Sequence, residues 1–333
     1  MAKKELFGKF VLLEELGSSS LGSEHRAAKL AAGGVLERLV RLIRLAPALS
    51  ANKAFTDALL EQAKAASLLH GPNILKLIAL GRVEIVCYLA YEHAEGKSLR
   101  SVMERSRRHA FPLTPDHGLI IASRISAALD YAHGTPGQLG GHVHGSLTPD
   151  AVLITHDGEV KLRGFGLWAA GAGEAGAVAA DDYRYLAPEQ VASRAADAQS
   201  DVFAAGALLF EMLTGQPLAD SDPAACVKQA RSAGGVESEA LSEPMGEILL
   251  RALAKEPAQR FAEMAEMRKA IDALLYSGEF NPTTFNLAFF MHSLFRKEIE
   301  KEARSLAEER AASYAQYWVD DALREPASKD VER

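Results

Sequence analysis

A change of period part-way along the chain constrains its fold more than any other feature. Over roughly the first ninety residues, apolar side chains come in short runs bounded by turn residues. From Ser98 onward they recur at helical spacing. The chain therefore reads as a strand-rich part followed by a helical part, and 333 residues allow one large domain or two lobes. Phe10-Val11-Leu12-Leu13-Glu14-Glu15-Leu16 is a short, largely apolar run that stops at Gly17-Ser18-Ser19-Ser20. Leu36 to Leu45 partly alternates apolar and basic residues and ends at Ala46-Pro47, which predicts a strand. Ser50 is the expected cap of a helix whose Phe55, Leu59, Gln62, Ala63, Ala66 and Leu69 share one face. Gly71-Pro72-Asn73 ends that helix, and Ile74–Leu80 and Val83–Tyr91 read as further strands.

In the helical part, Thr114 is an N-cap with Pro115 at the first helical position. Ile121, Ile125, Ala128, Leu129 and Ala132 follow as an apolar stripe that ends at Gly134. Val152-Leu153-Ile154 and Val160-Lys161-Leu162 flank His156-Asp157-Gly158, the pattern of a hairpin. Residues 168–180 are almost all Ala and Gly and predict a mobile loop. After a break at Gly278 to Pro282, no Gly or Pro occurs until Pro326, which predicts one or two long helices. About forty residues of helix would span roughly 60 Å.

A formal net charge of −7 and a pI near 5.9 argue against nucleic acid or an anionic membrane as the main partner. Cys87 and Cys226, far apart, suit a reducing compartment and exclude a disulfide framework; both read as small apolar fillers. Met1 to Phe7 lacks the apolar run of a secretory signal, and no stretch reaches about 18 apolar residues, so a cytoplasmic protein is expected.

Leu16-Gly17-Ser18-Ser19-Ser20-Leu21-Gly22, Gly71-Pro72-Asn73-Ile74, Gly164-Phe165-Gly166 and Tyr185-Leu186-Ala187-Pro188-Glu189 follow one another in an order that makes the chain resemble a bacterial serine/threonine protein kinase over about residues 8–276. Leu16-Gly17-Ser18-Ser19-Ser20-Leu21-Gly22 resembles the glycine-rich loop, and Val40-Arg41-Leu42-Ile43 sits where the family has Val-Ala-Ile-Lys. Gly71-Pro72-Asn73-Ile74 resembles His-Pro-Asn-Ile, and Tyr91-Glu92-His93 the hinge. His144-Gly145-Ser146-Leu147-Thr148-Pro149-Asp150-Ala151 replaces the catalytic loop, and Gly164-Phe165-Gly166 replaces Asp-Phe-Gly. Tyr185-Leu186-Ala187-Pro188-Glu189 keeps Ala-Pro-Glu. Ser200–Gly206 and Lys255–Phe261 match late signatures. The resemblance implies an α+β, two-lobed protein kinase-like fold. It would comprise a β-rich N-lobe (8–93), a helical C-lobe (94–276) and a helical C-terminal extension (277–333).

Phosphoryl transfer needs cations on the phosphates, metal ligands and a carboxylate near the acceptor hydroxyl. Carried over by motif, the strand lysine position holds Ile43 and its helix glutamate partner Gln62. The base position holds Ser146, the neighbouring lysine Thr148, and the two metal-binding positions Ala151 and Gly164. Ser19 replaces the middle glycine of the loop. Arg44 and Glu61, next to the lost pair, should point away from the cleft. Asp181 and Asp182 are expected to reach it only by a large loop movement. What remains is structural by the same resemblance. Asp201 anchors the catalytic-loop backbone, Glu189 and Arg260 form a buried ion pair, and His144 and Phe165 join an internal apolar column.

The resemblance gives Leu153 as the floor of an adenine site, Glu24 and Arg41 as its roof, and Tyr91 as a narrowing gatekeeper. A charge facing an apolar base is costly unless paired. Glu24 and Arg41 then either pair inside the cleft or, with a one-residue slip, lie solvated on the surface. ATP is not expected to bind, and no cofactor is expected. Phe165 to Asp182 contains no Ser or Thr, and Gly145 replaces the arginine that would hold a phosphorylated loop. His133, His142 and His144 lack a Cys or acidic partner at ligand spacing. In the tail, residues 284–299 read as an amphipathic helix on the C-lobe, whereas Tyr314, Tyr317 and Trp318 at helical spacing suggest a partner or self-association surface. The reading is a pseudokinase that binds an active kinase or signalling complex as scaffold or allosteric regulator. The alternatives are residual nucleotide-dependent transfer or a small-molecule sensor using the altered cleft.

Overall fold

The computed structural model describes residues 4–136, 142–171, 176, 178–219, 222–233, 241–280, 283–318 and 331–332. The alternation of the first part becomes an antiparallel sheet. Its strands are β1 (Glu5–Phe7), β2 (Phe10–Ser19), β3 (Gly22–Ala31), β4 (Val35–Leu45), β5 (Leu77–Val83) and β6 (Val86–Glu92), in the order β1-β2-β3-β4-β6-β5. Period two sorts the faces. Phe10, Leu12, Ala27, Val40, Leu42 and Ala90 bury one face around Tyr88, which Phe7 and Phe10 meet edge-on. Ile43 and Leu45 on the other face pack towards the helix that follows. The glycine-rich segment is the β2–β3 hairpin itself, because β2 runs on through Ser19.

That helix begins later than Ser50. Pro47 nucleates a separate turn, α1 (Pro47–Ala51), and α2 (Lys53–Ala66) is capped by Asn52, whose side chain accepts from Phe55 N at 3.1 Å. The Ser50 hydroxyl instead bridges strands, accepting from Cys87 N and donating to Leu45 O. Phe55, Leu59, Ala63 and Ala66 form the buried face of α2.

Beyond the connecting strand β7 (Gly96–Ser98) lie α3 (Leu99–Arg108) and α4 (Pro115–Gly134), the latter started by Thr114 and Pro115. β8 (Val152–Thr155) and β9 (Val160–Leu162) form the hairpin, with Asp157-Gly158 at its turn. Next come α5 (Pro188–Ser193), α6 (Ala198–Thr214), α7 (Pro223–Ala233), α8 (Glu243–Ala252) and α9 (Met264–Leu275). Every residue of α6 from Ser200 to Leu213 is buried, making it the axis on which α4 and α8 pack. Burial of Phe203, Leu208, Leu209 and Phe210 contributes on the order of 2 kcal/mol each. A two-residue strand β10 (Val331–Glu332) pairs with β5. Among the described residues, no helix is long and apolar enough to cross a membrane.

The tail is one helix, α10 (Thr284–Ala311), with a single non-helical residue at Phe295. Leu287, Phe290, Met291, Leu294 and Phe295 join the C-lobe core, where Phe290 stacks on Phe111 at 5.2 Å. Gly158 fixes where the helix starts: a Cβ there would lie 2.2 Å from Thr284 O. The expected forty-residue helix is shorter because the chain turns extended at Ala312. A 3-10 turn over Ala315–Tyr317 follows, and residues 319–330 lie outside the described ones. Helical spacing therefore does not carry Tyr314, Tyr317 and Trp318 outward. Tyr314 is 1% exposed, and Tyr317 and Trp318 are half-buried beside it against the N-lobe sheet. In this chain the three residues cover the N-lobe sheet.

Candidate functional site

The cleft between the lobes rests on a rigid frame in the C-lobe. Asp201, fully buried on α6, accepts from His144 N and Gly145 N at 2.8 Å, and His133 Nε2 lies 2.8 Å from its carboxylate. Ser146 N donates to His144 Nδ1, so Nε2 carries the proton and donates to Arg163 O at 2.9 Å. Burial lowers the His144 pKa and keeps the ring neutral, and Phe165 meets it edge-on at 4.7 Å. Glu189 holds Arg260 through two bonds of 2.7 and 2.8 Å. Arg260 also donates to the carbonyls of Gln199, Ala254 and Lys255. Gly145 faces Trp168, which leaves no room for a side chain at that position: a Cβ would lie 2.7 Å from the indole.

The roof of the cleft is ionic. Arg41 Nε donates to Glu24 Oε1 at 2.7 Å, so the two charges pair inside rather than lying solvated. Glu24 opposes Ile43 and Arg41 opposes Arg26 in the β3–β4 register, which sets the pair on a diagonal of one face. A third residue joins the pair. Arg163, next to Gly164, reaches the same Glu24 oxygen at 2.6 Å and donates to Asp150 O. Arg41 in turn donates to Ala94 O in the segment joining the lobes, at 2.8 Å. Burial alone would raise the Glu24 pKa, but the two guanidinium groups outweigh it and hold the carboxyl well below its ordinary 4.5.

This cluster divides the space below the sheet. About 80 Å³ remains on the side of Ile43, Tyr91, Ser146 and Asp182, and about 90 Å³ on the side of Gly17, Gly96 and Glu302. Pockets that take drug-sized ligands run to roughly 300–1,000 Å³. Burial pushes the Tyr91 hydroxyl up to about 12, so it stays a neutral phenol on the wall. Leu153 is buried below.

The remaining positions are spread around these spaces. Ile43 is buried in the core, and Gln62 packs against Gly166. Arg44 turns away to Glu5 at 3.2 Å, and exposed Glu61 pairs with Lys64. Ser146, Thr148 and Ala151 are buried in the lower cleft, with the Ser146 hydroxyl lacking a protein partner. Ser19 is exposed at the hairpin tip and accepts from Leu21 N. Asp182 corrects the expectation of a large loop movement, because it lines the cleft as the chain stands. A 3-10 turn over Ala180–Tyr185 carries it there, and Arg100 grips both it and Asp150. No local pattern announces Arg100, Arg163 or Asp182; their partners are 50 to 139 residues away. In the Ala/Gly-rich loop, Trp168 Nε1 donates to Arg194 O, while 172–175 and 177 lie outside the described residues. Tyr185 is buried and donates to Glu211. Burial raises the Cys87 pKa, in keeping with a filler thiol.

Residues 42–271 match the family described as protein kinase domain. A probable serine/threonine-protein kinase of Streptomyces coelicolor is 29% identical over 287 residues, covering 82% of this chain and 41% of the relative. Serine/threonine-protein kinase PrkC of Bacillus subtilis is 26% identical over 297 residues (85% and 43%). Tyrosine-protein kinase MasK of Myxococcus xanthus is 27% identical over 307 residues (88% and 47%). The chain thus spans less than half the length of these relatives. Among solved structures, the kinase domain of Mycobacterium tuberculosis PknI superimposes with a TM-score of 0.61 at 23% identity, covering 82% of this chain and 98% of that one.

Proposed function

The chain belongs to the protein kinase domain family, and from that premise we propose that it is a catalytically inactive member acting in the cytoplasm as a protein-binding scaffold or allosteric regulator of a signalling complex. One observation carries the reading: Glu24, Arg41 and Arg163 occupy the roof of the nucleotide cleft with their own charges. Adenine entering beneath them would have to displace three mutually satisfied groups, leaving buried charge unpaired at a cost of several kcal/mol. Arg41 already takes the Ala94 carbonyl in the segment joining the lobes. Ile43 and Gly164, where the motifs place the family's lysine and a metal ligand, supply no charge for a triphosphate or its cation. A module without chemistry acts through differential contacts with partners.

The test is a thermal-shift titration with ATP and Mg²⁺, paired with transfer of labelled γ-phosphate to a generic acceptor protein. No saturating rise in melting temperature and no label are expected. A saturating rise with label that disappears in Arg163→Ala would establish nucleotide-dependent transfer instead. A rise without label would establish a nucleotide sensor.

A further inference from the structure

The two halves of α10 are attached by different forces. Before Phe295 the helix is sewn into the apolar core of the C-lobe. After it, only Leu306 and Glu309 are buried. The distal half is tethered mainly by ion pairs: Glu298 to Arg105, Glu302 to Lys97 at 3.0 Å and Lys301 to Glu14 at 3.3 Å. Phe295, at φ −122° and ψ 21°, separates the two halves as a ready hinge. Partly exposed ion pairs are screened by salt and contribute about 0–1 kcal/mol each, so the stretch between Phe295 and Leu306 is weakly held and the seating of the distal half rests on its far end.

Its far end lies on a built site. Val11, Leu13, Ala28, Leu30 and Leu39 form an apolar cradle under β2–β4 that receives Leu306 and Tyr314. Arg26, 1% exposed, stands at the edge of the cradle. Glu309 meets it with both oxygens, at 2.7 and 3.0 Å, and Glu14 of the neighbouring strand answers it at 2.7 Å. A buried guanidinium that loses a carboxylate is strongly destabilising, so the site requires an acid from whatever covers it. Gly34 closes the far side: a Cβ there would lie 2.7 Å from Ala315 Cα, so the backbone of the occupant passes directly over it. The Tyr314 hydroxyl donates to Glu309 O and holds the turn that follows the helix.

We propose that this cradle is a docking site for a helix end of the pattern Leu-x2-Glu-x4-Tyr. It is filled here by the chain's own residues 306–318, and it accepts the same segment from a second copy of the chain when the distal half of α10 swings out about Phe295. Each contact made within one chain can be remade identically between two, which is the usual route to an exchanged dimer. The site stands apart from the cleft and does not depend on whether nucleotide binds.

The experiment uses a full-length chain whose own strap is released by Leu306→Asp with Tyr314→Asp, and a fluorescein-labelled peptide of residues 300–318. The peptide is expected to saturate the released chain and to bind wild type at least about tenfold more weakly, because the tethered segment competes at high effective concentration. Adding Arg26→Glu should abolish binding, and a peptide carrying Glu309→Arg should restore it. Failure of the folded, released chain to bind, or equal binding to the Arg26→Glu chain, overturns the docking site. If the released chain does not fold by circular dichroism, Glu309→Ala takes its place in the same titration. For exchange between copies, full-length Arg26→Glu and Glu309→Arg chains are mixed in sedimentation velocity. A dimer in the mixture but in neither chain alone is expected, and a mixture that stays monomeric overturns exchange.

Discussion

Two buried ion clusters, one in the lower lobe and one in the cleft, look alike by distance and differ in what surrounds them. Arg260 is packed on every side and supplies three backbone carbonyls as well as Glu189. Glu24 serves two arginines with small cavities on either side. The first cluster is a joint: removing its charge strands main-chain acceptors at the ends of helices. The second is a plug, tying β3, β4 and the end of β9 across a space that would otherwise be open. Charge burial by itself therefore says little; the other groups each cation satisfies distinguish the two.

The contrast can be broken by substitution. Arg260→Ala should cost about 3–5 kcal/mol in urea unfolding, and Glu189→Leu with Arg260→Met should recover little of it, since the three carbonyls stay unpaired. In the cleft, Glu24→Leu alone should cost about 2–3 kcal/mol by leaving Arg41 and Arg163 unmatched. Combining it with Arg41→Leu and Arg163→Leu should return stability to within about 1 kcal/mol of wild type. If the triple variant is no better than the single, the plug is a joint after all.

Acid sharpens the comparison further. Because the folded-state pKa of Glu24 is depressed, its stabilisation is complete above its ordinary 4.5 and is lost as pH falls through the lower value. His93, in the segment between the lobes, has the opposite chemistry and an earlier onset. Burial, then repulsion from Arg41 and Arg26, lowers it from 6.5 to about 4. The unfolded chain then binds its proton first, so stability falls between pH 6.5 and 4 by at most about 1.4 kcal/mol per pH unit. His93→Gln should flatten that limb in denaturant melts without altering the loss below pH 4.5. Burial lowers His117, His144 and His156 in the same sense, so part of the slope remains. The smallest effect expected is for exposed Lys64→Ala, under about 0.5 kcal/mol, since its bond to Glu61 is solvated.

Much of the frame was legible because its signals are local. Alternation exposed β4, Thr114 with Pro115 marked the start of α4, and Asp157-Gly158 marked the hairpin turn. The motif order located Asp201 and the Glu189–Arg260 pair, whose contacts follow from the fold. Glu24 with Arg41 was legible as a dilemma, since two charges in an apolar roof demand either pairing or exposure, and only tertiary structure chooses. Arg163, Arg100 and the end of the tail were not legible as partners. Arg163 can be seen beside Gly164, but nothing within a few residues says it turns upward to β3. The exit from α10 at Ala312 carries no Gly or Pro, so helical spacing runs on through Tyr314 in the sequence although the chain leaves the helix and packs Tyr314 under the sheet.

While its distal half is seated, α10 is pinned at Thr284 by the hairpin tip and at Glu309 by Arg26, and it works as a ruler laid between the lobes. Its graduations are those of the helix: one residue added or removed advances the far end by about 1.5 Å and rotates it by about 100°. A single-residue indel would therefore carry Glu309 off its target altogether. Loss of a full turn would keep the acid on the correct side and draw the lobes together by about 5 Å. Length variation along this strut should accordingly come in whole turns, and each turn would reset the width of the cleft.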